Sequence, residues 1–144
     1  MIYPVRNILE VKGHDVWSIS PDATVFDALR LMDAKGVGAL VVMEGDQLVG
    51  ILSERDYARK IILKGKSSQT TSVREIMTKE VVTVHPDQTV DEVMELMTGK
   101  SIRHLPVVEG ERVMGVISIM DVVRAVIHRQ RIELRQTEPG SYGV

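Results

Sequence analysis

Two short stretches carry side chains whose types and spacing could do chemistry: Ser53-Glu54-Arg55-Asp56 and Ser118-Ile119-Met120-Asp121. Each Ser follows a glycine by three positions, Gly50 and Gly115, so both stretches read Gly-x-x-Ser-x-x-Asp, 65 positions apart. A Ser that ends a strand, with an Asp three residues later, puts both groups in the first turn of a helix. Backbone N–H groups are free there and the partial charge is positive. Two kinds of chemistry suit the pair. Ser and Asp can cap the helix reciprocally. Alternatively, the carboxylate can accept hydrogen bonds from two vicinal hydroxyls of a ligand. A lost cap costs ~1 kcal/mol of stability, whereas a lost charged hydrogen bond costs ~1.5–3 kcal/mol and would fall on binding.

Other polar candidates are few. Arg103 and His104 begin a strand of the second copy, and an arginine suits a phosphate by bidentate donation. The first copy has Gly38 and Ala39 at those positions, with Arg55 as the nearby substitute. The alternatives are a solvated charge for the arginines and a satisfied, partly buried imidazole for His104. His14, His85, His104 and His128 are scattered and none forms a metal-ligand pair at helical spacing. No nucleophile–base–orienter set and no glycine-rich phosphate loop stands out.

The elements that must position these residues are themselves duplicated. The 65-residue offset holds without a gap from Ser20-Pro21-Asp22-Ala23-Thr24 against His85-Pro86-Asp87-Gln88-Thr89 through to the two Ser/Asp motifs. Val25/Val90, Leu31/Leu96, Met32/Met97, Leu40/Leu105 and Glu44-Gly45/Glu109-Gly110 are identical pairs on the way. The chain is two copies of one unit. Trp17–Ser20 predicts a short strand. Val25, Ala28, Leu29 and Met32 at helical period predict a helix to about Lys35, started by Thr24 and ended by Gly36. In the second copy Thr89 and Glu92 suit a full capping box, and Gly99 suggests an earlier helix end. Val37–Met43 and Gln47–Leu52 predict a hairpin around Glu44-Gly45-Asp46, and a second helix runs from the motif to about Leu63. Pro106 inside the matching strand predicts an edge or a bend. Val5-Arg6-Asn7-Ile8-Leu9 resembles Val73-Arg74-Glu75-Ile76-Met77, so each copy has a lead-in helix. The unit is strand–helix–strand–strand–helix. The last helix is expected to run to about Arg135, followed by a frayed tail.

Composition narrows the class. The 144 residues are 44% hydrophobic but only 3% aromatic, so the core is aliphatic. Halves of this size are marginal alone and are expected to pack on each other. A net charge of −2 argues against a nucleic-acid footprint, and zero cysteines exclude disulfide and thiolate chemistry. No apolar run approaches the ~20 residues of a membrane span, and the N-terminus lacks a signal-peptide pattern, which predicts a cytoplasmic protein.

The Pro-Asp-x-Thr-Val helix start, the hairpin and the Gly-x-x-Ser-x-x-Asp motif, each present twice, resemble the cystathionine β-synthase (CBS) domain. The chain looks like a stand-alone tandem CBS pair, of mixed α/β (α+β) class. The division expected is repeat 1 with its lead-in helix over 1–64, a linker over 65–72, repeat 2 over 73–130, and a helix extension and tail over 131–144. The resemblance implies two βαββα repeats related by a pseudo-two-fold axis, with clefts between them that accept AMP, ADP, ATP, NAD(H) or S-adenosylmethionine. It implies ribose contacts from Asp56, Asp121, Ser53 and Ser118, and phosphate contacts from Arg103, His104 and Arg55. Adenine would lie against Ile19, Val37, Thr78, Val81, Val82, Val84 and Ile102. No metal, no catalysis, a homodimer and an unidentified regulated partner protein complete the expectation. The alternative is a ligand-free interaction module.

Overall fold

The structure, a computed structural model, describes residues 2–137. The frayed tail expected from residue 137 onward lies almost wholly outside the described residues. The elements are α1 (Val5–Lys12), β1 (Ser18–Ile19), α2 (Val25–Lys35), β2 (Ala39–Glu44), β3 (Gln47–Ser53), α3 (Glu54–Tyr57), α4 (Val73–Ile76), α5 (Val90–Lys100), β4 (His104–Glu109), β5 (Arg112–Ser118) and α6 (Ile119–Thr137), with a π-helical turn at Ala58–Ile62 after α3. The duplicated strand–helix–hairpin–helix order is therefore present, and the fold is mixed α+β.

The described residues form two compact units: residues 15–82 with 111–113, and residues 2–14 with 83–110 and 114–137. They divide the chain differently from the sequence repeats. In the first-repeat unit, Val73 N–H donates to the Ala23 carbonyl (2.9 Å), Arg74 N–H to Pro21 (2.9 Å), and Val25 N–H to Thr71 (2.9 Å). In the second-repeat unit the matching bonds run from Val5 to Gln88 (2.8 Å), from Arg6 to Pro86 (2.8 Å), and from Val90 to Tyr3 (2.8 Å). Each lead-in segment thus docks on the start of the helix in the other repeat. An arginine repeats the pattern on the surface. Arg74 bonds Asp22 (3.2 Å) and Glu44 (2.9 Å), while Arg6 bonds Asp87 (2.9 Å) and Glu109 (3.5 Å).

In the first-repeat unit β1 pairs parallel with β2, and β2 antiparallel with β3. The buried stripe Val25, Ala28 and Met32 of α2 packs with Leu40, Val42 and Leu52 of the sheet and with Val73 and Ile76 of α4. Each valine, leucine, isoleucine or methionine side chain among them contributes about 1.5–3 kcal/mol when fully buried. In the second-repeat unit β4 and β5 form a two-stranded sheet, and the expected first strand is reduced to one bridge between Val84 and Val107. Pro106 explains the loss. The preceding rung would need an N–H from residue 106 to the Val82 carbonyl, and proline has none. Val41, the residue at the same place in β2, has an N–H and lies in register with Ser18 of β1.

Two helix-end expectations are corrected. Thr89 Oγ accepts from the Glu92 N–H (3.2 Å), but the Glu92 carboxylate accepts from Gln88 (3.4 Å) and does not return to the cap, so the box is half formed. Gly99 does not shorten α5. The helix runs to Lys100, matching Lys35, and Ser101 takes the left-handed conformation (φ 54°) that Gly36 (φ 65°) takes after α2. The linker-like 65–72 segment is fastened at its end, where Thr71 is buried and its hydroxyl donates to the Ser67 carbonyl (2.7 Å).

Candidate ligand-binding site

Both motifs fold as the sequence predicts, at the junction of a hairpin strand and a helix. Ser53 N–H donates to Asp56 Oδ2 (2.9 Å) and Asp56 N–H to Ser53 Oγ (3.2 Å), a complete capping box. Ser118 N–H donates to Asp121 Oδ2 (2.8 Å) and Asp121 N–H to Ser118 Oγ (3.2 Å). In each copy the cap engages one carboxylate oxygen, Oδ2. The other, Oδ1, faces a cation: Lys60 Nζ at 3.3 Å from Asp56 and Arg124 Nη1 at 3.6 Å from Asp121. Capping and hydroxyl acceptance are therefore compatible on one side chain, because they use different oxygens.

The motif glycines have a steric role. A Cβ on Gly50 would stand 2.6 Å from Met77 Sδ and 3.1 Å from the Thr78 carbonyl oxygen, and a Cβ on Gly115 would stand 2.6 Å from Leu9 Cδ2. Each glycine admits the close approach of a lead-in segment to the strand that ends at the motif. Thr78 and Ile51 exchange both backbone hydrogen bonds there (2.9 and 3.0 Å).

Sequence reasoning missed the lysines. Lys12, the last residue of α1, donates to Asp121 Oδ2 and to the Val116 carbonyl, both at 2.6 Å. Lys60 donates to the Ile76 carbonyl (2.8 Å) beside its contact with Asp56. Neither position is related to the other by the repeat, so a search on repeat identities passes over both. Burial pushes the Asp121 carboxyl up, but the Lys12 hydrogen bond, the Ser118 N–H and the lysine charge outweigh it and hold it below the usual carboxylate range. Burial lowers the His104 pKa, and Lys12 and Arg103 add to that against the opposing pull of Asp121.

The other expected residues fall into two groups. Ile19, Val37, Arg55, Thr78, Val81 and Val82 lie in the same unit as Ser53 and Asp56, whereas Val84, Ile102, Arg103 and His104 lie with Ser118 and Asp121. Ile19 and Val37 are half-buried against the first core. Val37 also lines an open groove of about 480 Å³, with Leu29, Met32, Asp33, Gly36, Gly38, Glu54 and Tyr57. Arg55 is exposed on α3 and Arg103 is exposed just before β4, its carbonyl accepting from the Ile119 N–H (2.8 Å). Val84, at 2% exposure, serves the packed interior. Trp17 is half-buried and Lys35 covers its ring at 4.2 Å, the packing role its lone position suggests.

Histidine spacing pointed to no metal site, yet the fold brings His85, Asp87 and Glu109 together, with ligand-type atoms within 4.8 Å of one another. All three are exposed. Arg6 already pairs with both carboxylates, and His85 Nδ1 accepts from the Asp87 N–H (3.1 Å). Among the described residues no helix is long and apolar enough to cross a membrane.

Comparison with known proteins agrees with this architecture. The family model for the CBS domain matches twice, over residues 6–63 and 73–128. The chain is 44% identical over 142 residues to the CBS domain-containing protein CBSX3, mitochondrial, of Arabidopsis thaliana, an alignment that covers 92% of this chain and 68% of the plant protein. A solved structure from Burkholderia ambifaria MC40-6, described as a candidate signal-transduction protein with CBS domains, superposes with a TM-score of 0.84 at 46% identity, covering 88% of this chain and 96% of that one. The CBS domain pair of protein MJ0100, solved in complex with 5′-methylthioadenosine and S-adenosylmethionine, superposes with a TM-score of 0.80 at 26% identity, covering 90% and 99%. Two matched repeats, the duplicated motif and these likenesses together establish that the chain belongs to the CBS-domain family.

Proposed function

We propose that the protein is a regulatory sensor of adenosine-containing compounds. The observation that carries this reading is the state of the two motif carboxylates. Each is held in a fixed orientation by its own helix cap, with Oδ1 outside that cap. Vicinal ribose hydroxyls suit an acceptor already held in place, so little ordering entropy is lost on binding. The ligands named in the MJ0100 complex both contain an adenosine-type ribose, which supports the class. Within the class, AMP, ADP, ATP and NAD are the narrower candidates. Asp56 and Asp121 take the ribose, assisted by Ser53 and Ser118, and Arg103 with His104 and Arg55 face phosphate. Ile19, Val37, Thr78, Val81, Val82 and Ile102 supply the surfaces for the base. Binding changes the packing of a homodimer, and a partner protein reads that change in the cytoplasm without catalysis by this chain or a bound metal. The ligand must prefer one of the two arrangements for that coupling to operate.

The complete cap in the first copy favours a second reading, a ligand-free interaction module in which the motif is structural. A thermal-shift panel of AMP, ADP, ATP, NAD, NADH, S-adenosylmethionine and 5′-methylthioadenosine separates the two. A ligand at ~100 times its dissociation constant adds ~2.7 kcal/mol. A shift with at least one compound supports the sensor, and no shift with any of them supports the module. Recovery of unaltered ligand after incubation tests the non-catalytic part.

A further inference from the structure

Each motif carboxylate has a lysine partner, and the two lysines come from unrelated positions. The residue at the 65-residue offset from Lys60 is Ala125, which is buried. Matching Val5 to Val73 puts Glu80 opposite Lys12. The settings of the two also differ. Lys60 sits in the π-helical turn, in a unit with Gly38 and Ala39 where the second copy has Arg103 and His104. Lys12 stands beside Asp121, whose other oxygen faces Arg124 at 3.6 Å, with Arg103 and His104 close enough for the charges of Lys12, Asp121 and Arg103 to act on the imidazole.

Lys12 shares Asp121 Oδ2 with the Ser118 N–H, so the carboxylate of the free protein is saturated on that oxygen. A ribose held on Oδ1 brings its phosphate beside this pair, and the phosphate offers the ammonium a second anion that it can reach while keeping the Val116 carbonyl. The Lys12 side chain is 38% exposed and has room to turn toward such an anion, whereas Asp121 at 11% is fixed.

We infer that Lys12 sets the charge selectivity of the second-repeat unit, favouring phosphorylated nucleosides over neutral ones by moving from Asp121 to the phosphate. The inference rests on the adenosine reading above and adds to it a selectivity residue outside the motif. The inference is confined to the second-repeat unit; in the first, Gly38 and Ala39 stand where the second has Arg103 and His104, and Lys60 faces Asp56 Oδ1 and not Oδ2.

The test is isothermal titration of AMP and of adenosine into the full chain, in an Asp56→Asn background so that the second-repeat unit is read alone. The parent is compared with Lys12→Met and Lys12→Arg. AMP is expected to bind the parent more tightly than adenosine by at least about tenfold, the scale of one charged hydrogen bond. Lys12→Met is expected to abolish that ratio while leaving adenosine affinity within about twofold, and Lys12→Arg to keep most of it, since it conserves the charge. An unchanged AMP-to-adenosine ratio in Lys12→Met, or equal losses for both compounds, overturns the inference and leaves the adenosine reading standing. A parent that binds neither compound overturns both for this unit.

Discussion

Gly50→Ala is the perturbation that most directly tests how the lead-in segment is joined to the motif. The added methyl would stand 2.6 Å from Met77 Sδ, 3.0 Å from Met77 Cγ and 3.1 Å from the Thr78 carbonyl oxygen. Met77 is 8% exposed, so its thioether has little space to leave. The Thr78 carbonyl accepts from the Ile51 N–H at 3.0 Å, so a retreat of the backbone stretches that bond. Overpacking of this kind costs about 1–3 kcal/mol, and the smaller unfolded-state entropy of alanine returns about 0.4–1 kcal/mol. The net loss is about 1–2 kcal/mol, or about 3–7 °C in melting temperature for a chain of this size. Thermal and urea unfolding measure it. Met77→Ala in the Gly50→Ala background should recover the part due to the thioether, appearing as a favourable coupling in a double-mutant cycle. Gly115→Ala meets only the end of the Leu9 side chain and should cost less. A Gly50→Ala protein as stable as its parent, or a cycle with no coupling to Met77, would refute the steric account of the motif glycine.

Other outcomes follow from single residues. Ser101→Gly should stabilise the protein by about 0.5–1 kcal/mol, because Ser101 holds a left-handed conformation that glycine adopts without the Cβ penalty; denaturant titration reads it. The His104 imidazole has a lowered pKa, chiefly from burial. Its contribution to stability is therefore present above the ordinary value of about 6.5 and is lost as the pH falls from there through the lowered folded value. Melting curves between neutral and mildly acidic pH should show that decline in the parent and less of it in His104→Gln.

The duplicated unit, the helix starts and the hairpins were legible because they depend on local signals: apolar period, turn residues and a gapless offset. Gly36 at the end of α2 behaved as its type predicts. Gly99 did not: α5 runs through it to Lys100 despite a helix-breaking propensity worth about 1 kcal/mol, and Ser101 takes the left-handed cap instead. The missing first strand of the second copy was partly legible in Pro106, which predicts an edge or a bend but does not say which neighbouring strand is lost. Lys12 and Lys60 were not legible at all. Their link to Asp121 and Asp56 depends on where α1 docks and on a π-helical turn, and neither is encoded in a repeat identity. The exchange of lead-in segments was hidden for the same reason, since sequence similarity reports common ancestry of segments and not the surfaces they cover. The Ser/Asp spacing correctly announced a helix cap, but spacing alone could not show that the cap leaves Oδ1 to a second partner.

The most direct measurement is calorimetric titration of AMP and 5′-methylthioadenosine into the parent chain and into the Asp56→Asn/Asp121→Asn double variant. Asparagine keeps most of the capping ability but not the charge. The sensor account predicts saturable binding of at least one compound by the parent, weakened about tenfold or more in the double variant while its melting temperature stays near that of the parent. Binding of equal strength in both proteins, or no binding by well-folded parent protein, would contradict it.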